Sequence, residues 1–175
     1  LRDLDLLKGS CRSLLYISPY IPAGGSVKGG DRGEKAAIKA TIVCTNDEMA
    51  VTQGLAMDSG RFISKSDIST RRAVAVLGRE VADSLFPGKD PAGEKVRINS
   101  RNFEIIGVMK KRGQSGFSGG IDSEDMCVYV PVTLARQVTG TDRVEMVLAR
   151  TPDAGAVGQA KEEIRAFLQR RFGKE

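Results

Sequence analysis

The sequence contains no histidine and no tryptophan among its 175 residues. Histidine is the most common general base and a frequent metal ligand, so its absence removes the Ser–His and Cys–His pairs of nucleophilic catalysis. The serines of the chain therefore have no histidine to activate them. Aromatic residues make up only 5% of the chain, fewer than a base-stacking platform for single-stranded nucleic acid needs. The composition therefore favours neither an enzyme nor a nucleic-acid-binding protein.

Cysteine is also scarce. Cys11, Cys44 and Cys127 stand far apart and form no C-x-x-C pair, so a structural zinc site is not indicated. An odd number of cysteines argues against a complete disulfide framework. Two arrangements remain open, three buried thiols or one disulfide with one free thiol, and the sequence favours the first.

Long hydrophobic runs are absent as well, since none approaches the ~18 residues that a membrane-spanning helix needs. The chain begins with Leu1 rather than methionine and has no signal peptide, so we expect it to be a piece of a longer protein. Its hydrophobic content of 41% is nevertheless sufficient for a buried core.

Charge of either sign is not concentrated in one segment. The net charge is +5 and the pI about 9.2, a balance that can indicate nucleic acid or anionic lipid as a partner. However, the 27 basic residues are interleaved with 22 acidic ones. We therefore interpret the small basic clusters as solvated faces.

Hydrophobic periodicity predicts an α+β fold with about three helices and at least seven strands. The predicted strands cover residues 13–21, 36–44, 73–77, 94–98, 102–109, 126–132 and 144–150. The predicted helices cover residues 1–9, residues 79–86 and a C-terminal segment with Thr151 as cap and Pro152 as its first residue. Pro22 is predicted to end the first strand, and residues 55–68 are predicted to be an extended connection.

The stretch AVLGREVADSLFPG, residues 75–88, resembles the start of a nucleotide-binding βα unit. A dinucleotide fingerprint needs two further glycines after Gly78, and Glu80 would repel a phosphate at the helix start. Lys89 follows Gly88 as in a Walker A loop, but Asp90 replaces the required Ser or Thr. We therefore predict that Gly78 is a close-packed joint between a strand and a helix rather than a nucleotide site.

Residues 110–125 hold four glycines without apolar periodicity, which predicts a long mobile loop. An anion nest in 113–120 is opposed by the nearby carboxylates, and their spacing does not fit a calcium loop. A flexible surface loop is the simplest interpretation. A partner-contact loop is the alternative, with Phe117 as apolar anchor beside Arg112 and Gln114.

Three motifs, in this order and at these separations, resemble the extracytoplasmic (periplasmic core) domain of MacB-type, FtsX-like ABC transporter permeases. They are SGRFISKSDI (59–68), RRAVAVLGREVADSLFPGKDPAGEKVRINSRNFEIIGV (71–108) and VYVPVTLARQVTG (128–140). The resemblance covers residues 45–140 well and is weaker at both ends.

The resemblance implies a fold of two parts. A porter-like βαβ layer would be formed by the chain ends, 1–45 and 141–175, with an inserted β-rich, sabre-like part at 46–140. It also implies a position between two membrane helices of a permease in the cytoplasmic membrane, with this domain in the periplasm or outside the cell. No cofactor is then expected here, because ATP binds a separate cytoplasmic ATPase.

The implied function is mechanical. ATP-driven movement of the membrane helices would be passed outward during export or lipoprotein release. The implied partners are a sister permease subunit in a homodimer, the cytoplasmic ATPase, and a periplasmic adaptor or lipoprotein cargo, whereas the excised domain is expected to be monomeric. We predict no catalytic, cofactor or metal residues, and we predict structural joints at Gly78, Pro87, Gly88 and Gly107. The alternative function is an extracytoplasmic ligand-binding or sensory module.

Overall fold

The computed structural model describes residues 2–29, 37–112 and 123–173. The helices are α1 (Arg2–Ser10), α2 (Met49–Gln53), α3 (Lys65–Ser69), α4 (Arg79–Leu85), α5 (Ala135–Thr139) and α6 (Ala156–Phe172). The strands are β1 (Tyr16–Gly29), β2 (Ala37–Thr45), β3 (Met57–Gly60), β4 (Val74–Leu77), β5 (Lys95–Ile98), β6 (Arg101–Met109), β7 (Cys127–Pro131) and β8 (Met146–Arg150). Short 3₁₀ turns at Glu124–Met126 and Val132–Leu134 precede and follow β7.

The strands form a single eight-stranded sheet in the order β2-β7-β4-β6-β5-β1-β8. Because β1 pairs with β2 as well as with β5, the strands from β2 to β1 close into a ring. β3 pairs with β6 outside the ring, and β8 pairs with the N-terminal part of β1. Two pairings, β2 with β7 and β4 with β6, are parallel, and the others are antiparallel. Ring closure protects most strand edges from further pairing.

The inner face of this ring holds the main hydrophobic core. Alternate residues of each strand point inward, as the two-residue period of a strand requires. Val27, Ile42, Leu77 and Phe103 are among the residues that meet there, all with 1% exposure or less. Residues of α4 and α5 pack against the same cluster.

Two further clusters lie outside the ring. The first covers part of the outer face, where Val43, Val76 and Tyr129 pack with residues of α2, β3 and the segment before α3. The second joins α1 and α6 to the start of β1, around Leu7, Ile17, Ala160 and Phe167. Each chain end is therefore held by a helix, and the two helices share one small core.

The structure confirms most of the predicted elements. The strands at 36–44, 73–77, 94–98, 126–132 and 144–150 are present within one to two residues, and the mixed α/β class is correct. The β5–β6 hairpin turns at Asn99, whose φ of 53° suits the left-handed region that asparagine tolerates.

Three expectations about element boundaries were wrong, and they concern β1, residues 55–68 and the start of the C-terminal helix. β1 does not end at Pro22 but continues to Gly29. Residues 21–26 of β1 pair with β2 on one edge and with no strand on the other edge. The strand tolerates Pro22 because a missing N–H on the unpaired edge removes no hydrogen bond between strands. Residues 55–68 are not a simple extended connection, since β3 and the start of α3 lie within them. α3 begins with a capping box between Ser64 and Asp67, a sequence signal for a helix start.

The C-terminal helix starts at Ala156 rather than at Pro152. The Thr151 hydroxyl donates to the Asp153 carbonyl, and the Asp153 carboxylate accepts from the Ala156 N–H at 2.9 Å. Asp153 therefore accepts the hydrogen bond from the first N–H group of α6, which has no acceptor within the helix. Among the described residues no helix combines the length and the apolar composition needed to cross a membrane.

Candidate partner-contact site

The base of the predicted contact loop is fixed by Arg112. Its backbone N–H donates to the Asp125 carboxylate at 3.0 Å, and Asp125 is 1% exposed. Its guanidinium lies 3.1 Å from the Glu124 carboxylate and donates to the Gln53 carbonyl at the end of α2 at 3.0 Å. Arg112 therefore connects the two sides of the loop base to each other and to α2.

The other two predicted contact residues, Gln114 and Phe117, lie outside the described residues. The structure describes the loop 110–125 only up to Arg112 and from Ser123 onwards. On the C-terminal side of the loop, the Ser123 hydroxyl accepts a hydrogen bond from the Asp125 N–H at 3.2 Å. The contact role of all three residues stays a prediction.

Gly78 is required by close backbone packing beside this loop base. Its N–H donates to the Cys127 carbonyl at 2.7 Å. A Cβ atom at Gly78 would lie 2.4 Å from the Asp125 carbonyl oxygen, a distance that no side chain can occupy. Because β4 ends at Leu77 and α4 begins at Arg79, Gly78 is the single residue between the strand and the helix.

Gly107 is a second position of close approach. It lies opposite Gly60 in the β3–β6 pairing, and a Cβ atom at Gly107 would lie 2.5 Å from the Arg61 carbonyl oxygen. Gly60 has φ +67°, and its own Cβ would meet the Ile106 carbonyl at 2.3 Å. The two glycines allow the backbone at residues 60–61 to lie close to the β6 backbone, at the point where β3 leads into the segment before α3.

Pro87 and Gly88 follow the end of α4. Phe86 is the C-cap of the helix, and the Lys89 N–H donates to the Phe86 carbonyl at 3.2 Å. Gly88 has φ +72°, which favours glycine because an L side chain is strained there. The pair therefore turns the chain from α4 towards β5, and any mechanical role stays a prediction.

The SGRFISKSDI motif forms a rigid unit around Asp67. Arg61 donates to the Asp67 carboxylate with its two terminal guanidinium nitrogens, at 2.6 and 3.0 Å, and Ser64 donates through its hydroxyl and its N–H. Arg72 lies 3.6 Å from the same carboxylate and 3.0 Å from Glu104. The hydrogen bonds from Arg61 lower the pKa of Asp67 well below its usual range, although burial opposes this shift.

Sequence reasoning missed this unit. The signal for it was the S-x-x-D spacing of Ser64 and Asp67, which is typical of a capping box. Arg72 and Glu104 could not be assigned to the unit, because they are distant in the chain. Phe62 of the same motif packs on Tyr129 with ring centroids 5.6 Å apart, which fastens the motif to β7.

The buried titratable groups beneath the loop base are held protonated. Burial raises the pKa of the Cys127 thiol to about 12 and raises the pKa values of Tyr20 and Tyr129. A thiol with such a pKa is a poor nucleophile at neutral pH. The three cysteines are free and buried, as the sequence predicted, and each lies in a different cluster. Within the described ranges no group of His, Cys, Asp and Glu side chains could hold a metal ion.

Comparison with known proteins places the chain in a family. The family described as MacB-like periplasmic core domain matches residues 1–167. The macrolide export ATP-binding/permease protein MacB of Azoarcus sp. (strain BH72) is 32% identical over 145 residues, which are 82% of this chain and 22% of that protein. The chain spans about a quarter or less of the length of the curated relatives it matches, for example 25% of MacB from Nitrobacter winogradskyi.

Two solved structures share the fold. The periplasmic region of MacB from Actinobacillus actinomycetemcomitans superposes with a TM-score of 0.80 and 20% identity, covering 99% of this chain and 74% of that one. The extracellular domain of the ABC-type transporter YknZ from Gram-positive bacteria gives a TM-score of 0.79 and 20% identity, covering 99% and 84%. The chain belongs to the family of MacB-like periplasmic core domains, which are extracytoplasmic domains of ABC transporter permeases.

Proposed function

We propose that this domain transmits ATP-driven movement of the permease's membrane helices to partners or cargo outside the cytoplasm, during export or lipoprotein release. The observation that carries the proposal is the family match over residues 1–167. The ring of strands gives the domain a stiff body, because a closed sheet with a filled interior has few ways to deform. The clefts of about 600 and 540 Å³ that the described residues line are open grooves rather than enclosed chambers.

The proposal includes the two-part organisation. The cluster that joins α1, α6 and β1 supports a porter-like layer made by the chain ends, 1–45 and 141–175. The β-rich part, 46–140, contains β3 to β7 and the Arg61–Asp67 unit. β1 and β2 also line the main core, so the two parts share one sheet.

The domain itself is proposed to bind no nucleotide or other cofactor and to catalyse no reaction. ATP hydrolysis would take place in a separate cytoplasmic ATPase domain or subunit. The occupied N–H of Gly78 and the protonated thiol of Cys127 support this division of labour.

The proposed location is the outer side of the cytoplasmic membrane, with the permease anchored in that membrane. The proposed partners are a sister permease subunit, the cytoplasmic ATPase, and an adaptor or lipoprotein that contacts the loop 110–125. The fixed base at Arg112 supports a contact role, since a loop on a rigid base can present Phe117 in a defined place.

Transmission is tested in the intact permease by spin-label distances. A cysteine introduced at exposed Lys65 carries the label, while the buried native thiols stay unlabelled. We expect the distance between the two copies of the domain to differ between ATP-bound and nucleotide-free states. Identical distributions in an actively hydrolysing permease would contradict the proposal.

The contact loop is tested by a photo-cross-linker at Phe117 in the same permease. We expect capture of an adaptor, cargo or sister subunit. A cross-linker at Lys161 on α6 serves as the control for chance capture. Failure to capture any of these proteins, or equal capture from both positions, would exclude the loop as the contact.

A further inference from the structure

β1 changes its pairing partner at its middle. Its N-terminal part, residues 16–20, pairs with β8, and the following residues, 21–28, pair with β2. Ile17 lies in the cluster with α1 and α6, whereas Ile21 and Val27 lie in the core of the ring. Together, α1, α6, β8 and the N-terminal part of β1 form a terminal layer. β1 is therefore the strand that joins this terminal layer to the ring.

The N-terminal part of β1 has β8 on one edge, and on its other edge side chains take the place of a strand. β2 ends at Thr45, whose hydroxyl donates to the Pro19 carbonyl at 2.7 Å. The Asn46 amide donates to the Ile17 carbonyl at 2.8 Å, and the Glu48 carboxylate accepts from the Ile17 N–H at 2.8 Å. These bonds satisfy backbone groups of β1 that lie beyond the end of β2.

Glu48 makes a second contact, with α1. Its Oε1 atom forms an ion pair with Lys8, while its Oε2 atom accepts from the Ile17 N–H. The Glu48 side chain is 17% exposed, so salt screens this ion pair less than it screens a fully exposed one. Among the hydrogen bonds and ion pairs of the described residues, this is the one that joins α1 to residues 37–112. A single carboxylate therefore connects the first helix, β1 and the chain that follows β2.

A cleft of about 380 Å³ lies between α1 and α3 beside this contact. Ile17 and Pro19 of β1 are among its lining residues. Asp5 on α1 and Lys65 on α3 line it with opposite charges. Neither of these two side chains has a hydrogen bond or an ion pair within the described part of the chain. The terminal layer thus has space on this side, and the attraction between the two charges favours movement into it.

We propose that Glu48 is a latch between the terminal layer and the ring, and that α1 moves into the cleft towards α3 when the contact between Glu48 and Lys8 opens. The hinge is the middle of β1, where the strand exchanges β8 for β2. Asp5 then approaches Lys65, so the ion pair lost on one side of α1 is replaced by another. Two alternative ion pairs give a hinge with two positions, as in other switching proteins.

The hinge is a property of the domain itself, and its use in transmission rests on the proposed function. With the latch closed, movement of α1 reaches the ring. With the latch open, the hinge absorbs that movement. Glu48 thus regulates how much of the movement of the membrane helices passes through the domain.

A carboxylate is required at position 48 because it accepts both hydrogen bonds at once. Glutamine has one acceptor oxygen, which can serve either the Ile17 N–H or Lys8, and its NH₂ group faces the other donor. Glu48→Gln therefore opens one of the two contacts with almost no change in side-chain volume.

The test measures distances between spin labels in the 175-residue chain. Labels at Leu6→Cys on α1 and Ser66→Cys on α3 report the width of the cleft, and both positions are exposed. Labels at Ser66→Cys and at Asn102→Cys on β6 report the part of the domain outside the terminal layer. The buried native thiols stay unlabelled.

Glu48→Gln should shorten the distance between Leu6 and Ser66 by about 2 Å or more, the size of helix shifts in known switches. It should leave the distance between Ser66 and Asn102 unchanged, which a general loosening of the fold would not do. Asp47→Asn is the matched control, because Asp47 lines the same cleft and has no hydrogen bond or ion pair among the described residues. An unchanged cleft distance in Glu48→Gln, or an equal change in Asp47→Asn, would overturn the proposal.

A second variant separates opening of the latch from unfolding. Lys8→Gln removes the ion pair and keeps the bond from the Ile17 N–H to Glu48, so it should also shorten the cleft distance. If Glu48→Gln did not fold, Lys8→Gln would decide, and an unchanged cleft distance in Lys8→Gln would overturn the proposal.

The direction of the movement is tested by adding Lys65→Gln to Glu48→Gln. The shortening should disappear, because Asp5 no longer has a cation across the cleft. A cleft that stayed short would contradict the exchange of ion pairs. All these measurements use the chain without its permease, so their failure leaves the proposed transmission standing. Conversely, a permease whose domains did not move with ATP would leave the hinge standing.

Discussion

Arg171 and Asp3 form an ion pair at 2.9 Å although 168 residues separate them in the chain. The contact joins the last turn of α6 to the first turn of α1. Each charge also lies at the helix end that favours it, the carboxylate at an N-terminus and the guanidinium at a C-terminus. The first and last helices of the described chain therefore meet on one side of the domain.

The ion pair itself should contribute little stability, because both side chains are about half exposed. Asp3→Asn should cost less than about 1 kcal/mol. Phe167→Ala should cost about 3 kcal/mol or more, since the ring is 8% exposed in the cluster between α1, α6 and β1. Urea denaturation of both variants gives the comparison. A larger loss for Asp3→Asn would mean that the charge pair, rather than apolar packing, joins the helices.

Acid should weaken the domain through Asp67. Its pKa is lowered in the folded protein, so its stabilising contribution is present above the ordinary aspartate pKa of about 4 and is lost as the pH falls towards the folded value. The free energy of unfolding should therefore decrease below about pH 4. Asp67→Asn should be less stable at neutral pH and should flatten this decrease.

Asp58→Asn is the control for this experiment, because Asp58 forms an exposed ion pair with Arg79. It should keep the acid dependence of the parent protein. If Asp67→Asn retained the full acid dependence, the stabilising role of the Arg61–Asp67 contact would be excluded.

Gly78→Ala should destabilise the domain by about 1–3 kcal/mol, because the new Cβ would collide with the Asp125 carbonyl. Gly158→Ala is the matched control. Apart from its chain neighbours and the α6 backbone, no atom of the described residues lies within 4 Å of its added Cβ, so alanine should stabilise α6 by about 0.5–1 kcal/mol. Chemical denaturation of the two variants measures the difference. A neutral Gly78→Ala would show that the backbones of Gly78 and Asp125 can separate without cost.

The thiols should be unreactive in the folded protein. Burial raises the pKa of Cys44 and of Cys127 to about 12, and Cys11 is also buried. Little thiolate is present at pH 8, so a thiol reagent should label none of the three quickly in buffer and all three in denaturant. Intact mass would reveal a disulfide as a loss of two hydrogens, which would contradict the assignment of three free thiols.

The candidate contact site could be predicted only in part. Glycine content and the lack of apolar periodicity indicated the loop at 110–125, and Phe117 stood out as its apolar residue. The role of Arg112 at the loop base could not be predicted, because its partners Gln53 and Asp125 are brought to it by β6, α2 and the turn before β7. The sequence indicated a close-packed joint at Gly78, but it could not identify the backbone at Asp125 as the neighbour of this glycine.

The sequence alone determined the local features of this domain. Alternating apolar residues predicted the β5–β6 hairpin and the strand before Gly78, and the missing glycines argued against a dinucleotide site. Only the tertiary structure decided the ring closure through β1, the bidentate contact of Arg61 with Asp67 and the pairing of Lys28 with Arg97. Period and turn chemistry act over a few residues and can be read along the chain. Register between distant strands depends instead on how all the buried faces fit together, which no single segment encodes.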